Sequence, residues 1–425
     1  MKAITRREFI QKSTAIGAYA CCSAAFGITA PQLVFGQTAG GNGNLVVLFN
    51  QFGGNDPLNS FSIPYGIGKY YDLRPSIGIP EASVLQLNNS VGFHPSLSNL
   101  HRLYLSGNVA MLYGVGDPVG TRSHFTSQDI MSLGVSTNDS AEKRGWIGRL
   151  GDKYFRNDEF NTFALGVGQK LDFSADRLKN STLVLPDLGS FAFNGDAKTG
   201  IPQVALDSEL QDSVAKSIYS QNKSVAGMRG TARRSIASAH SNAERIEGIV
   251  AGHPPTATYP STKPGAYFKD VSVIARSQLG AKLCYGGMGG WDNHANQGKE
   301  SGTQSGLLTQ VDQAIAAFEQ DMKAANLWNK VSICIFTEFG RCVSENTSLG
   351  TDHGWGSVML VIGGKVKGGI YGGGPTLTDL TKERWILPKM DYRNPFREMI
   401  EWMGYDPEPI FTDSYTRVPL DLFRA

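Results

Sequence analysis

Six acidic and histidine side chains follow apolar runs of the sequence, in loops that contain glycine. They are Asp56, Asp292, His294, Glu338, Asp352 and His353. Carboxylate and imidazole groups are common ligands of divalent ions such as Zn, Mg, Mn or Ca. A pair of such ions about 4 Å apart can activate water and stabilise a phosphoryl or sulfuryl oxyanion. The six residues are therefore candidate metal ligands.

The same residue types also have ordinary structural roles. Glu338 could cap a helix, and Asp352 could form a turn beside a glycine. Asp56 precedes Pro57, a position where an Asx turn is common. Both interpretations stay open for each of these residues.

A second group of candidates lies in the glycine-rich loop that precedes a predicted helix. Arg122, Ser123 and His124 are consecutive there. A hydroxyl group at a helix N-terminus, beside an arginine, suits an anion, because the free N–H groups and the helix dipole favour negative charge. Ser123 is thus a candidate nucleophile or anion ligand, with Arg122 or Arg341 as the stabiliser of an oxyanion and His124 as a further catalytic candidate. The alternative is that Ser123 is only an N-cap.

Apolar, β-branched runs predict the strands that position these residues. They are Asn44–Asn50, Val109–Tyr113, Ala281–Tyr285, Val331–Thr337 and Val358–Ile362. An amphipathic helix between the third and fourth runs completes a strand–helix–strand unit, which is typical of parallel sheets. We predict an α/β fold with a mostly parallel sheet sandwiched by helices. Ligands bind at the C-terminal ends of the strands in such sheets.

The chain of 425 residues fits one α/β domain over residues 44–425 with an insertion. Apart from two short apolar runs, Thr162–Leu165 and Thr182–Leu185, residues 157–267 are polar and lack strong core strands, so we predict a helical cap there, inserted into the domain.

The first 30 residues resemble a twin-arginine export signal. Arg6 and Arg7 precede an apolar run of small residues, and cleavage could follow Ala30 or Gly36. We therefore expect the twin-arginine export machinery as a partner and a periplasmic or extracellular location. A membrane anchor is the alternative, but the run is short for a span of about 20 residues. No second long apolar run follows, which predicts a mature chain without a transmembrane segment.

The charge balance gives no reason to expect nucleic acid as a partner. Removing the four cations and one anion of the signal from the formal net charge of +2 leaves the mature chain near −1. A basic excess, which is the usual feature of nucleic-acid-binding domains, is therefore missing.

Six sequence blocks resemble, in order, those of the bacterial secreted family called domain of unknown function 1501. The blocks are Leu48–Asn59, Phe93–Leu97, Arg122–Phe125, Gly290–His294, Thr337–Arg341 and Thr351–Gly354. The resemblance extends from about Leu45 to the C-terminus. That family is grouped with the alkaline phosphatase and sulfatase superfamily. The resemblance therefore implies an alkaline-phosphatase-like fold, with metal ligands on loops at the strand ends.

The resemblance also implies roles for individual residues. Asp56 corresponds to the ligand after the first strand, and Asp292 with His294 to the Asp/His pair of one metal. Glu338 lies where the superfamily often has an Asp-His pair at a strand end. His353, with Asp352 beside it, corresponds to the final histidine, and Ser123 is the best match to the helix-capping nucleophile.

The chain departs from the superfamily pattern at three points. The Asp-x-His spacing of Asp292 and His294 is shorter than that of the phosphatases, and Pro57 replaces the glycine usual in the family. Arg341 lies near the position expected for a metal-binding histidine. An arginine could replace the charge of one cation, which would leave a one-metal site or a metal-free anion site.

Two functions are therefore expected. The first is an exported, metal-dependent hydrolase of phosphate or sulfate esters, acting on a small anionic ester. The alternative is a non-catalytic binding or secretion-associated protein on the same fold.

Overall fold

The computed structural model describes residues 42–137, 139–155, 162–166, 183–188, 246, 248–277, 279–378, 380–381 and 384–425. The chain divides into two compact units, and every element below belongs to the unit of residues 37–156, 160–187 and 253–425. The predicted export signal (residues 1–30, with cleavage to 36) lies outside the described residues. Most of the predicted cap, residues 157–267, lies outside them as well.

The strands of this unit are short to medium in length. They are β1 (Leu45–Gln51), β2 (Ile63–Pro64), β3 (Leu85–Gln86), β4 (Val91–Phe93), β5 (Val109–Gly116), β6 (Thr162–Leu165), β7 (Leu183–Leu185), β8 (Leu283–Met288), β9 (Val331–Phe336), β10 (Ser357–Ile362), β11 (Gly369–Tyr371) and β12 (Met390–Asp391). All five strands predicted from apolar runs are confirmed, as β1, β5, β8, β9 and β10.

The α-helices vary from one and a half to six turns. They are α1 (Gly68–Leu73), α2 (Ser98–Leu105), α3 (His124–Leu133), α4 (Trp146–Tyr154), α5 (Lys263–Arg276), α6 (Thr303–Ala324) and α7 (Arg393–Trp402). The predicted strand–helix–strand unit is confirmed as β8–α6–β9. No helix within the described ranges combines the length and the apolar character needed to cross a membrane.

Nine strands form the main sheet, in the order β11-β5-β10-β9-β1-β8-β6-β7, with β12 beside β5. Only β10 is antiparallel to its neighbours, β5 and β9, and all other pairings of this sheet are parallel. The central strand β1 is paired on both sides, so that Leu48 lies opposite Cys334 and Tyr285. The mostly parallel α/β fold predicted from the sequence is thus confirmed. Strands β2, β4 and β3 form a separate antiparallel sheet.

Helices cover both faces of the main sheet. Successive side chains of a strand point to opposite faces. Leu48 therefore packs on one side, in a buried cluster with Trp146 and Phe396. Phe49 packs on the other side against Phe268, with ring centroids 5.5 Å apart. Burial on both faces explains why β1 and β9 are apolar at almost every position.

The direction of the strands decides where the candidate residues lie. Since β1, β8 and β9 are parallel, and β5 runs in the same direction on the far side of β10, their C-terminal ends meet at one edge. The loops that follow these four strands carry all the candidate site residues. The fold therefore brings distant parts of the sequence to one edge of the sheet.

Candidate metal centre

Three histidines converge on the carboxylate of Asp292. His294 Nε2 lies 2.9 Å and His353 Nε2 lies 3.2 Å from Asp292 Oδ1. His124 Nε2, in the first turn of α3, lies 3.5 Å from Asp292 Oδ2. Donor atoms of His124, Asp292 and His353 all lie within 4.8 Å of one another, which is a spacing that can hold a metal ion.

The outer nitrogen of each imidazole faces an oxygen atom. His124 Nδ1 lies 2.7 Å from a carboxylate oxygen of Glu338, and His294 Nδ1 lies 3.3 Å from one of Asp352. His353 Nδ1 lies 2.8 Å from the backbone oxygen of Arg122. Because these oxygens only accept hydrogen bonds, each Nδ1 carries a proton, and the Nε2 of each ring lies on the side of Asp292, where a neutral imidazole can bind an ion.

The Nε2 atoms are close enough together to share one cation. His294 Nε2 and His353 Nε2 are 3.0 Å apart, a distance that also permits an N–H···N hydrogen bond. His124 Nε2 is buried and has no hydrogen-bond partner within the described part of the structure. Nitrogens bound to one tetrahedral ion at about 2.0–2.1 Å would be roughly 3.3 Å apart. His124, Asp292 and His353 therefore fit a single divalent ion, and His294 Nε2 lies close to two of these three residues, Asp292 and His353.

Glu338 orients His124 from behind. Its Oε1 accepts hydrogen bonds from His124, from the Gly53 N–H at 2.9 Å and from Gln128 Nε2 at 3.2 Å. Its Oε2 accepts a hydrogen bond from Thr337 at 3.1 Å. Burial raises the pKa of the Glu338 carboxyl, but the hydrogen bonds from His124 and Gly53 outweigh it and lower that pKa overall. A carboxylate held in this way fixes a metal-binding imidazole instead of binding the ion directly.

Asp352 has the corresponding position behind His294. Its Oδ1 also accepts a hydrogen bond from Asn346 Nδ2 at 3.0 Å, and this bond is the main reason why the pKa of Asp352 is lowered. For His124, the hydrogen bond to Glu338 raises the pKa, whereas burial lowers the pKa of His353. The predicted ligands Glu338 and Asp352 thus lie one step outside the cluster, each bonded to a histidine.

Arg341 lies beneath the cluster and does not line the adjoining cavity. Its guanidinium donates to Asp292 Oδ1 at 2.6 Å, to the backbone oxygens of Gly54 and Thr351 at 2.6 and 2.9 Å, and to that of Gly53. Burial alone would raise the pKa of Asp292, but the hydrogen bond and charge of Arg341 lower it to about 2. Asp292 is therefore ionised over the whole physiological range, with a fixed cation beside it.

Asp56 is not brought to this cluster. Arg74 binds both of its oxygens, with Nη1–Oδ2 at 2.5 Å and Nη2–Oδ1 at 3.0 Å. Gln297 Nε2 and the Leu58 N–H also donate to it, at 2.7 and 3.2 Å. The alternative role of Asp56 as the cap of a turn is confirmed, since it caps the 3-10 helix Pro57–Asn59.

A cavity of about 730 Å³ adjoins the histidines. Its lining residues are Arg122, Ser123, His294, Cys342, Asp352, His353 and Trp385. Ser123 Oγ accepts a hydrogen bond from the Thr126 N–H at 3.4 Å, so the predicted N-cap of α3 is confirmed. The Arg122 guanidinium lies over the Trp385 ring, 4.5 Å from its centroid. This contact holds a positive charge at the cavity wall.

Sequence reasoning missed three residues that bind a candidate residue or line the cavity. Arg74 and Trp385 lie in no recognisable motif, and Gln128 looks like an ordinary helix residue. For Gln128 a signal was available, because it stands four positions after His124 and thus on the same face of α3. For the other two, only the fold reveals the partner.

These observations define the class of protein. It is a mostly parallel α/β unit with a histidine-rich candidate metal centre at the strand ends. The family described as "Protein of unknown function (DUF1501)" matches residues 118–417. The match covers more than half of the chain, so the chain belongs to this family, as the sequence blocks predicted. No curated protein gives a significant match.

Several solved structures resemble the chain at low identity. A protein in the alkaline phosphatase superfamily from Vibrio parahaemolyticus is 9% identical, with 93% of this chain and 77% of that chain covered and a TM-score of 0.37. The alkaline phosphatase from the Antarctic bacterium TAB5 is 10% identical, with 87% and 100% covered and a TM-score of 0.36. The lipoteichoic acid synthase LtaP from Listeria monocytogenes is 9% identical, with 91% and 79% covered and a TM-score of 0.40. The fold class given above rests on the sheet of this chain and not on these likenesses.

Proposed function

We propose that the chain is a metal-dependent hydrolase of phosphate or sulfate esters, with one divalent ion held by His124, Asp292, His294 and His353. One observation carries this proposal. Three imidazoles have their Nδ1–H groups bonded to oxygen acceptors, and all three place Nε2 within 3.5 Å of one carboxylate. Among the described residues the Nε2 of His124 is buried without a hydrogen-bond partner, and a cation between the three nitrogens would satisfy it.

The donor set favours a nitrogen-binding ion. Three imidazole nitrogens and one carboxylate suit Zn or a neighbouring first-row metal better than Mg or Ca, which prefer oxygen ligands. When bound, such an ion polarises an ester oxygen and lowers the pKa of water. Arg341 supplies the second positive charge at Asp292, which supports one ion and not two.

The residues of the cavity wall bind and orient the ester. Arg122, stacked on Trp385, contacts the anionic group, because a guanidinium can donate two parallel hydrogen bonds to phosphate or sulfate. Ser123 presents its hydroxyl to the same cavity at the N-terminus of α3, where free N–H groups add to the attraction. Ser123 is the proposed nucleophile, with water as the alternative attacking group.

Metal analysis and ester hydrolysis test the proposal together. The chain without residues 1–36 is purified, its metal content is measured by mass spectrometry, and chromogenic phosphate and sulfate esters are offered with and without added Zn, Mn, Mg and Ca. We expect about one Zn-like ion per chain and hydrolysis that a chelator abolishes. His353→Ala should lose both. The control His101→Ala, whose ring bonds to the Gln86 backbone outside the cluster, should keep both.

Two results would contradict parts of this proposal in different ways. A chain that holds no divalent ion, even after titration, refutes the metal centre. A chain that holds one ion but hydrolyses no ester in the panel supports the non-catalytic alternative. The burial of Asp56 against Arg74 is the observation in favour of that alternative, because it removes one carboxylate from metal chemistry.

Export is the second part of the proposal. The paired Arg6 and Arg7 before a small apolar run support the twin-arginine route to the periplasm or the exterior. That route carries folded proteins, so the ion could be bound before export. Replacing Arg6 and Arg7 by lysine should retain the chain in the cytoplasm, as cell fractionation would show. Unchanged fractionation would refute this route.

A further inference from the structure

Exposed large apolar side chains occur on the same loops as the residues that line the cavity. Within the described residues, those most exposed are Leu105, Val119, Phe125, Leu349 and Leu387. All but Leu105 lie within three positions of a residue that lines the cavity. Single exposed apolar residues are normal on a protein surface, but their grouping on a few loops indicates a binding function.

Leu349 is the most informative of these residues. Its side chain is 45% exposed, and its backbone has a φ of +60°, a region that disfavours branched side chains. Hydrogen bonds hold it there, from the Gln297 N–H to the Leu349 oxygen at 2.9 Å and from the Leu349 N–H to the Asn346 oxygen at 3.2 Å. Glycine or asparagine would fit this backbone better, so a leucine there does not serve stability.

The loop that carries Val119 is equally well fixed. Asp117 Oδ1 accepts hydrogen bonds from the Val119 and Gly120 N–H groups at 2.9 and 2.7 Å, while the Val119 side chain is 54% exposed. Gly120 approaches the Trp355 ring so closely that a Cβ would lie 2.8 Å from it. The side chain of Val119 is thus presented outwards by a rigid loop.

Leu387, which is 43% exposed, lies on the segment next to that loop. A Cβ on Gly116 would meet the neighbouring Pro388 at 2.8 Å and Trp355 at 3.5 Å. The Lys389 N–H also donates to the Gly114 oxygen at 2.8 Å, so the segment that carries Leu387 lies beside the loop that carries Val119. We define Val119, Leu349 and Leu387 as the apolar rim.

We propose, on the basis of the proposed function, that the substrate is an amphiphile, namely a phosphate or sulfate ester of an apolar alcohol. Its anionic group lies against Arg122, and its alkyl or aryl part lies against the apolar rim. An apolar chain that leaves water gains free energy with each methylene, whereas the ester of a sugar gains nothing from leucine and valine side chains. If each methylene group of the substrate is fully buried against the apolar rim, kcat/KM should rise by up to about fourfold per methylene.

A homologous series of substrates tests this inference. Methyl, butyl, hexyl and octyl phosphates and sulfates, all monomeric in solution, are compared with the metal-loaded chain. We expect kcat/KM to rise with chain length. The triple variant Val119→Ser, Leu349→Ser, Leu387→Ser should lose most of that rise. Leu105→Ser, an exposed leucine at the end of α2, is the matched control and should keep the full rise.

The variant Leu349→Gly distinguishes an effect on substrate binding from an effect on the stability of the fold. Leu349→Gly should raise the melting temperature, because glycine tolerates the positive φ, and should still weaken the preference for octyl esters. A loss of preference with a gain in stability cannot come from misfolding. A Leu349→Gly variant with an undiminished preference for octyl esters would exclude Leu349 from the rim.

Binding of octylphosphonate and methylphosphonate, measured by calorimetry, tests the rim even if no ester is hydrolysed. Tighter binding of the octyl compound that the triple variant abolishes would support the rim when the proposed hydrolysis fails. Equal binding of both compounds, or a flat chain-length series, would overturn the inference. Rim-dependent binding to phosphatidylcholine vesicles with a flat series would also overturn it, in favour of a membrane contact.

Discussion

Asp56 and Asp292 both follow a strand of the central sheet, and both contact an arginine, yet their surroundings are opposite. Asp56 is 2% exposed, and Arg74 occupies both of its oxygens. The side chain of Asp292 is 45% exposed, and Arg341 occupies only one face of it, which leaves three histidines around the rest. The first carboxylate is therefore neutralised within the fold, and the second keeps room for a further cation.

The difference shows that an aspartate at a strand end does not define a metal ligand by itself. A carboxylate can bind an ion when part of it faces other metal-binding side chains. It stabilises the fold when a guanidinium binds both of its oxygens. Both kinds of aspartate occur at the same edge of this sheet. Substitutions at the two aspartates and their arginines should therefore separate stability from metal binding.

The largest effect is expected from Arg74→Met. It leaves the Asp56 charge buried without its partner, which should lower the free energy of unfolding by about 3–5 kcal/mol. Chemical denaturation measures this loss. The metal content of the folded fraction should not change. The control Arg102→Met removes a half-exposed cation from buried Glu319, which keeps its bond to Lys323 at 2.6 Å, so stability should fall by less than about 1 kcal/mol.

Two results for Arg74→Met would contradict the contrast between Asp56 and Asp292. If the variant keeps wild-type stability, the buried ion pair of Arg74 with Asp56 does not stabilise the fold. If it binds a second divalent ion, the guanidinium has been occupying a latent metal site.

The next effect is expected from the matched pair Asp56→Asn and Asp292→Asn. Asp292→Asn removes the charge at the centre of the histidines, so the affinity for the ion should fall more than the roughly 10–100-fold typical of losing a backing residue. Asp56→Asn should leave that affinity unchanged but lower stability, since Arg74 then loses its anion. Competition with a chelator and denaturation measure the two quantities. Equal effects of both variants on either quantity would remove the distinction between the aspartates.

The sequence allowed the fold and the edge of the sheet to be predicted, but not these roles. Runs such as Val331–Thr337 are apolar because both faces of a central strand are buried. The strands and their order along the chain can therefore be predicted from the local sequence. The partner of Asp56 is not, because Arg74 comes from a helix end that no motif marks. Likewise, Glu338 stands at a strand end as predicted, but the direction of its side chain, towards His124, depends on how α3 packs.

A smaller effect is expected from Glu338→Gln. The amide keeps the shape of the side chain but gives His124 a neutral acceptor in place of a charged one. The affinity for the ion should fall by about 10–100-fold, with Asp292 and the other histidines intact. Glu345→Gln is the control, because Glu345 accepts hydrogen bonds from the N–H groups of Ser76 and Ile77 outside the cluster. A loss above that of Asp292→Asn would mean that Glu338 binds the ion itself.

The smallest effect concerns Asp117, a third aspartate at the same edge, to which no arginine or histidine among the described residues forms a hydrogen bond or ion pair. Its Oδ2 has no hydrogen-bond partner within the described residues, and burial raises the pKa of its carboxyl.

The folded chain thus holds the proton of the Asp117 carboxyl more tightly than the unfolded chain does. The stabilising contribution of the proton is complete below the unfolded pKa of about 3.9 and is lost as pH rises through the higher folded pKa. Asp117→Asn removes that dependence, so in metal-free protein the wild type should gain stability relative to the variant as the pH falls from 7 to 4. Melting temperatures of both proteins across this range measure the difference, and parallel curves would show that the Asp117 carboxylate is satisfied after all.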